Sequence, residues 1–246
     1  MTDIPADDPK IELRSDITVE LVKSAATDSD VLFAARVSTA GEQSLDELKK
    51  DPERSKGLIN YLMRDRHGSP FEHNSMTFFV SAPIFVFREF MRHRVGWSYN
   101  EESGRYRELQ PVFYVPDTSR KLVQQGRPGK YVFVEGTPEQ HELVGGVMED
   151  SYRQAYATYQ QMLAAGVARE VARAVLPVGL YSSMYATCNA RSLMHFLGLR
   201  TQHELAKVPS FPQREIEMVG ERMEAEWARL MPLTHAAFNA NGRVAP

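Results

Sequence analysis

The fifteen residues from Arg92 to Tyr106, RHRVGWSYNEESGRY, combine three arginines, a histidine and two glutamates with three aromatic side chains. They follow an apolar run, PIFVFREFM, which predicts a helix over 83–94, because proline suits the first turn of a helix and Gly96 ends it. In one interpretation the cationic residues are solvated surface at a helix C-terminus, where positive charge is favourable. In the other, they line a pocket for a flat, anionic ligand.

Hydrophobic periodicity outside this stretch predicts strands early in the chain and helices late. Ile17 to Val22 alternates apolar and polar residues, as a half-buried strand does. Thr137-Pro-Glu-Gln140 combines a capping box with proline at the first helical position, which predicts the start of a long helix. The predicted strands span 17–22, 75–82 and 111–115, and the predicted helices span 28–37, 54–66, 83–94, 137–165, 167–176, 178–206 and 212–230.

The order of these elements predicts an α+β fold, with a mainly antiparallel sheet flanked by long helices. Residues 41–53 and 97–110 are predicted to be loops, and residues 117–136 an exposed excursion. Because no repeat or linker interrupts the chain, we expect a single domain over 16–240, after a disordered acidic leader over 1–15.

Composition excludes several classes of protein. The 246 residues carry a net charge of −3, which gives no general attraction to nucleic acid. No apolar run approaches the ~20 residues needed to cross a bilayer, and the N-terminus lacks the basic-then-apolar order of a signal peptide. The single cysteine, Cys188, excludes an intrachain disulfide framework and fits a reducing compartment. We therefore expect a cytoplasmic protein.

Ser103, Gly104 and Arg105 suit an anion. Arginine can meet a phosphate with two parallel hydrogen bonds, and a glycine lets backbone N–H groups approach it. Residues 92–94 offer a second cluster of cationic, planar groups. Two such clusters would suit a ligand phosphate and a larger anionic cofactor. The alternative is a solvated basic loop balanced by Glu101 and Glu102.

A second polar group lies near the C-terminus. Arg191 and His195 are four residues apart and share one face of a predicted helix. From these residues alone, a helix with an ordinary polar face is the favoured explanation. The group as a whole consists of Arg173, Asn189, Arg191, His195 and Arg200.

Other chemistries find less support. His67 and His73 are six apart, which is not the spacing of a helical zinc pair, so we expect no metal site. The nucleophile elbow, the P-loop and the GxGxxG motif are absent, although a Ser-His-Asp triad assembled in space stays open. Cys188 lies in an apolar context that favours core packing over a nucleophilic role.

These residues together resemble the flavin-dependent thymidylate synthases. The family signature is Arg-His-Arg, two residues, Ser, and a short run ending in Ser-x-Arg; here three residues, Val95 to Trp97, separate the two parts. The resemblance extends in matching order over roughly residues 17 to 230. It covers Arg92–Arg94, Ser98–Tyr106, His67–His73 (HGSPFEH), Arg169–Pro177 (REVARAVLP) and Asn189–Arg200 (NARSLMHFLGLR).

The resemblance implies an activity, an assembly and a set of site residues. Such enzymes convert dUMP to dTMP with a methylene group from 5,10-methylenetetrahydrofolate and a hydride from NADPH through FAD, and they are homotetramers with active sites at subunit boundaries. Arg200 matches the catalytic arginine that contacts the uracil ring. The positions matching dUMP ligands are Glu89, Arg92, Glu101, Glu102, Ser103, Gly104, Arg105, Arg173 and Arg200. The positions matching FAD ligands are Ser69, Arg92, His93, Arg94, Glu101, Asn189, Arg191 and His195, and His67 matches a histidine near flavin and folate.

Two alternatives remain. Ser103, Gly104 and Arg105 would serve equally well in a nucleotide-binding module without catalysis, such as a sensor of dUMP. An RNA-binding protein is less favoured, because the net charge is negative and the arginines do not alternate with stacking aromatics on a sheet. Ser103 lacks an adjacent base that would make it a nucleophile, so we assign it to substrate binding.

Overall fold

A computed structural model describes residues 10–40, 52–127 and 129–246. Over these residues it confirms the α+β class. The strands are β1 Glu12–Arg14, β2 Thr18–Ala25, β3 Ser75–Pro83, β4 Trp97–Glu101, β5 Val112–Tyr114, β6 Val123–Arg127, β7 Lys130–Val134 and β8 Tyr181–Cys188. The α-helices are α1 Asp28–Ala40, α2 Pro52–Arg64, α3 Ile84–Phe90, α4 Pro138–Ala164, α5 Arg169–Ala172, α6 Ala190–Arg200, α7 Arg214–Leu230 and α8 Pro232–Ala240. Short 3-10 turns span Ser69–Glu72 and Arg173–Val175.

The chain forms two compact units, each assembled from separate segments. The first unit takes its described residues from 10–16, 82–87 and 101–183. The second takes them from 17–81, 88–100 and 184–246. The prediction of a single domain over 16–240 stays a prediction.

The core of the first unit is built on one face of α4. Tyr152, Tyr156 and Tyr159 recur at helical spacing, and all three are buried. Tyr152 stacks on Phe113 with ring centroids 4.7 Å apart. Tyr156 donates its hydroxyl to the carbonyl of Leu109 at 3.3 Å, and the hydroxyl of Tyr159 accepts from the N–H of Leu109 at 3.3 Å. The buried phenols are thus hydrogen-bonded, as desolvated polar groups must be.

The second unit holds most of a four-stranded sheet in the order β2-β3-β8-β4, with β2 and β3 antiparallel. Helices α2, α6, α7 and α8 pack on one another beside it. Asp28 at the start of α1 accepts from the N–H groups of Leu233 and Thr234 at 2.9 Å, in the first turn of α8. A carboxylate at a helix N-terminus satisfies unpaired N–H groups and complements the dipole. Asp28 therefore caps a helix that begins about two hundred residues later.

The secondary structure predicted for the segments that form β4 and β8 was wrong. Residues 97–101 were predicted as loop and 181–188 as part of a helix, and both are strands. In β8, Met184, Ala186 and Cys188 are buried and alternate with more exposed residues. That two-residue period signals a strand, but the apolar stretch was interpreted at helical spacing.

The predicted helix over 83–94 was too long. Helix α3 ends at Phe90, and the N–H groups of Arg92 and His93 bond to the carbonyls of Glu89 at 3.2 Å and Phe90 at 3.0 Å. These bonds close a tighter turn than an α-helix. The residues Arg92–Arg94 therefore lie in a turn rather than at a helix C-terminus.

Other boundaries also differ from the predictions. The excursion predicted over 117–136 contains the antiparallel pair β6 and β7, and α8 was missed. The predicted leader ends in β1, which pairs in parallel with β5; residues 1–9 lie outside the described residues. Of the loop predicted over 41–53, residues 41–51 lie outside the described residues, and 52–53 begin α2. By contrast, the capping box of α4 is confirmed, with Thr137 N–H donating to Gln140 at 2.9 Å.

Candidate functional site

The predicted site residues divide between the two units. Glu101, Glu102, Ser103, Gly104, Arg105 and Arg173 belong to the first unit. His67, Ser69, Glu89, Arg92, His93, Arg94, Asn189, Arg191, His195 and Arg200 belong to the second. The contacts of the site residues are described below for each unit by itself.

In the first unit, Gly104 is buried at the centre of a turn that begins at Ser103. A Cβ at Gly104 would lie 2.8 Å from a methyl carbon of Leu109 and 3.2 Å from Cδ of Arg173, so a larger residue would force both to move. The Ser103 hydroxyl accepts from the N–H of Arg105 at 3.3 Å. The glycine thus lets the stem of Arg173 pack against the turn that carries Arg105.

Two serines of β8, not identified from the sequence, hold the two glutamates of the first unit. Ser182 donates to Glu101 at 2.9 Å, and Ser183 donates to Glu102 at 3.1 Å. Burial raises the pKa of Glu101, and the charge of Glu102 adds to the rise, which the hydroxyl of Ser182 and the charge of Arg173 partly oppose. The signal that would have identified the serines is the strand period of β8, which was interpreted as helical.

Arg105 is exposed and paired with Glu170, whose carboxylate accepts from its Nε at 3.0 Å. Both side chains are more than half exposed, so this ion pair contributes little to stability. An exposed arginine in a weak ion pair can exchange that partner for an incoming anion at little cost. Glu170 was not identified from the sequence.

In the second unit, aromatic rings support the turn that carries Arg92–Arg94. Trp97 and Tyr99 stack with centroids 5.7 Å apart, and Phe90 meets each of them edge-on. The hydroxyl of Tyr99 donates to the carbonyls of Phe90 at 3.1 Å and His93 at 2.7 Å. The aromatic residues of the opening stretch therefore hold the backbone of the turn. Arg92 and Arg94 are exposed, and neither forms an ion pair with any residue that the structure describes.

Arg200, the last residue of α6, reaches two groups of the α3 region. Its Nη1 donates to the carboxylate of Glu89 at 2.6 Å, and its Nε donates to Nε2 of His93 at 3.1 Å. Because a guanidinium only donates, Nε2 must be the unprotonated nitrogen and His93 is neutral. Burial is the main cause that lowers the pKa of His93 to about 4, and the positive charges of Arg200 and His195 contribute to the same shift. Two of the five N–H donors of Arg200 are used, which leaves three for a ligand.

The extra residue between Arg94 and Ser98 is accommodated in a turn held by α6. Gly96 has a φ of +69°, a conformation that favours glycine. The hydroxyl of Ser192 donates to the carbonyl of Val95 at 2.9 Å and would lie 2.1 Å from a Cβ at Gly96. Asn189 caps α6 by accepting from the N–H of Ser192 at 2.9 Å.

Arg191 lies over Gly68 and is held by partners that the sequence did not indicate. A Cβ at Gly68 would lie 2.4 Å from the Cζ of Arg191. Nη1 donates to Glu72 at 2.5 Å, and Nε donates to the main-chain oxygen of Pro246 at 2.6 Å. Nearby, burial lowers the pKa of His195, as do the charges of Arg191 and Arg66.

The remaining predicted groups have simpler surroundings. His67 is exposed, with its ring 5.5 Å from that of Tyr61, and Ser69 is exposed in the 3-10 turn that follows. Cys188 is buried, which confirms the prediction of core packing, and burial raises the pKa of its thiol. Among the described residues, no group of three or more acidic, histidine or cysteine side chains could hold a metal ion. No helix within the same residues is long and apolar enough to cross a membrane.

Comparison with known proteins identifies the family of the chain. The family described as "Thymidylate synthase complementing protein" matches residues 20–233. The chain is 98% identical, over the full length of both, to the flavin-dependent thymidylate synthase of Streptomyces coelicolor. It is 60% identical to that of Tropheryma whipplei, over 94% of this chain and 96% of the relative.

A solved structure is similar throughout. The UMP/dUMP methylase PolB from Streptomyces cacaoi, bound with 5-Br dUMP, superposes with a TM-score of 0.90 at 60% identity. The match covers 96% of this chain and all of PolB. The chain therefore belongs to the flavin-dependent thymidylate synthases, a family of enzymes, and the resemblance stated from the sequence is confirmed.

Proposed function

We propose that this enzyme methylates dUMP to dTMP, taking the one-carbon unit from 5,10-methylenetetrahydrofolate and reducing equivalents from NADPH through FAD. The observation that carries the proposal is the similarity to PolB bound with 5-Br dUMP, at 60% identity over nearly the whole chain. We further propose a cytoplasmic homotetramer, in keeping with the family resemblance and the single buried cysteine.

In the first unit, residues 103–105 and Arg173 bind the anionic end of the nucleotide. Gly104 keeps the backbone close to the stem of Arg173, and Arg105 has only a weak, exposed partner to give up. Arginine suits a phosphate because its planar fork makes two parallel hydrogen bonds. Glu101 and Glu102, oriented by the β8 serines, border the same cluster and accept hydrogen bonds from the nucleotide.

In the second unit, Arg200 is the catalytic residue. Its partners Glu89 and His93 orient the guanidinium and leave part of it free, with 22% of the side chain exposed. Uracil C5 is a poor nucleophile, so the reaction needs stabilisation of negative charge that develops on the ring. A positioned guanidinium supplies it, because it stabilises charge that grows in the transition state. Neutral His93 adds no competing positive charge near neutral pH. Glu89 and Arg92 are proposed as further dUMP ligands.

The donor set of the second unit fits a flavin dinucleotide, whose pyrophosphate is anionic. Arg92 and Arg94 are exposed and without an ion pair among the described residues, and Arg191 lies over a glycine that leaves it room. When bound, the flavin supplies hydride transfer, which protein side chains cannot provide. The proposed flavin ligands of the second unit are Ser69, Arg92, His93, Arg94, Asn189, Arg191 and His195, with His67 near flavin and folate. Glu101, which belongs to the first unit, is proposed as a further flavin ligand.

A second candidate substrate is UMP. PolB is described as a methylase of both UMP and dUMP and is also solved with 5-Br UMP, at 59% identity to this chain. The two substrates differ by the ribose 2′-hydroxyl, which a site must either accept as a hydrogen-bonding group or exclude. Comparison of dUMP and UMP as substrates therefore belongs in the first assay.

The test is anaerobic incubation of the purified protein with methylenetetrahydrofolate, NADPH and either nucleotide, with the methylated product measured by chromatography. We expect yellow protein, NADPH oxidation and dTMP formation. Arg200→Ala should nearly abolish turnover while flavin stays bound. Arg229→Ala, which removes an exposed arginine of α7, is the matched control and should leave turnover unchanged.

Colourless protein that FAD does not reconstitute would refute the proposal. Nucleotide binding without any product would favour the alternative of a binding module. Full turnover by Arg200→Ala would refute the role given to Arg200.

A further inference from the structure

Residues 243–246, named here the tail segment, run back to the region of Arg191. The main-chain oxygen of Ala245 accepts from Nη1 of Arg66 at 2.7 Å. The main-chain oxygen of Pro246 accepts from Nε of Arg191 at 2.6 Å. Ala245 and Pro246 are both buried, so the segment is packed against the second unit.

The tail segment is anchored at Arg243. The two terminal nitrogens of Arg243 donate to the two carboxylate oxygens of Glu224 at 2.6 and 2.7 Å, and only 1% of the Arg243 side chain is exposed. The guanidinium also lies 4.9 Å from the ring centroid of Phe238. A buried, bidentate arginine is among the stronger attachments available to a side chain. The anchor therefore fixes where the next three residues run.

The tail segment and Glu72 together set the orientation of Arg191. Nε is used by Pro246 and Nη1 by Glu72, while Gly68 lies beneath the guanidinium. One donor on each of two nitrogens is engaged, so three of the five N–H donors remain. Two fixed contacts at different nitrogens hold the plane of the group as well as its position.

The tail segment also lies where positive charge accumulates around Arg66 and Arg191. Arg66 and Arg191 both lie close enough to His195 to act on it electrostatically, so cations gather here. Glu72 supplies one counter-charge to Arg191. The main-chain oxygens of 245 and 246 supply further partial negative charge directly at the two guanidinium groups. These oxygens therefore offset part of the repulsion between the two guanidinium groups.

We propose that the tail segment is a positioning element for the flavin, holding the free edge of Arg191 toward an anionic part of the cofactor. This rests on the proposed flavin-binding role of Arg191. A side chain already held in its binding orientation loses less entropy when the ligand arrives, and that saving corresponds to about a two- to tenfold gain in affinity for one immobilised arginine. Pro246 itself touches no ligand in this account and acts through Arg191.

The experiment measures FAD affinity of the flavin-free protein by fluorescence quenching, for four proteins and one control. They are the unchanged chain, the chain lacking Pro246, Arg191→Gln, the combination of both changes, and the control Arg229→Gln. We expect loss of Pro246 to weaken FAD binding about two- to tenfold, with no further loss in the Arg191→Gln background. Thermal unfolding of the flavin-free proteins is measured alongside. A loss of affinity that came from a general loss of structure would not depend on the presence of Arg191, so it would appear in both backgrounds.

Three results would overturn the inference. If FAD affinity is unchanged without Pro246 while Arg191→Gln weakens binding, the tail segment has no role in positioning Arg191, although Arg191 still binds the flavin. An equal loss from deleting Pro246 in both backgrounds would mean that it acts independently of Arg191. If Arg191→Gln binds FAD with unchanged affinity, Arg191 is not a flavin ligand and the inference is wrong. Failure of the unchanged chain to bind FAD would instead refute the proposed function.

Discussion

Replacing Glu224 with glutamine should destabilise the protein strongly at neutral pH and only weakly in acid. Glu224 on α7 accepts one hydrogen bond from each terminal nitrogen of buried Arg243 and a further bond from His235 at 2.8 Å. Glutamine keeps the shape of the side chain but removes its charge. The change leaves the guanidinium of Arg243 desolvated without a counter-charge, which is costly in a protein interior.

The magnitude follows from the pKa of Glu224. Burial alone would raise the pKa, but the hydrogen bonds and charges of Arg243 and His235 outweigh burial and lower it from 4.5 to about 2. At about 1.4 kcal/mol per pH unit, this pKa difference of about 2.5 corresponds to roughly 3–4 kcal/mol of folding free energy at neutral pH. Because the folded pKa is the lower one, this stabilisation is complete above pH 4.5 and is lost as the pH falls toward 2.

Urea unfolding at several pH values, followed by tryptophan fluorescence, measures the effect. Trp227 reports locally, since it is buried with its ring 5.2 Å from that of His235. Glu221→Gln is the matched control, because Glu221 lies on the same helix in a half-exposed ion pair and should cost at most about 1 kcal/mol. A loss below about 1 kcal/mol for Glu224→Gln at pH 7 would refute the reasoning. So would a free energy of unfolding that changes in parallel for Glu224→Gln and the unchanged protein as the pH falls below 4.5.

The remaining predictions concern three other positions. Gly68→Ala should weaken FAD binding without loss of fold, because its Cβ would meet the Arg191 guanidinium at 2.4 Å; unchanged affinity in a fluorescence titration would contradict this. Asp28→Ala should lower the free energy of unfolding by about 1–2 kcal/mol through loss of the α8 cap, with flavin content unchanged, and an unaltered melting temperature would speak against it. The Cys188 thiol, whose pKa burial raises, should react with a disulfide reagent only after unfolding; rapid labelling of folded protein would disprove it.

The sequence predicted the elements whose signal is local. The capping box at Thr137 identified the start of α4, and strand β3 was placed correctly from its composition. These features depend on neighbours a few residues away. Motif resemblance also identified the family, because it depends on the order of residues and not on their contacts in space.

Other features could not be predicted because they depend on distant partners. Strand β8 is not one of them, because its two-residue period is a local signal that was interpreted at helical spacing. The contacts of Arg191 illustrate this limit, since its partners lie at Glu72 and Pro246, with no pattern in the sequence linking them. Of the candidate site, residue types were therefore predictable, whereas the groups that orient them were not.

The discontinuous build of the second unit has a consequence for synthesis of the chain. Its segments come from residues 17–81, 88–100 and 184–246, so its earliest strand must wait for helices that are translated more than 160 residues later. Asp28 emerges early, yet the helix that it caps follows about two hundred residues later. Contacts this far apart in the chain slow folding and prolong exposure of apolar surface. During translation the second unit therefore remains incomplete until residues 184–246 have emerged, and a chaperone that shields its first strands would act in that interval.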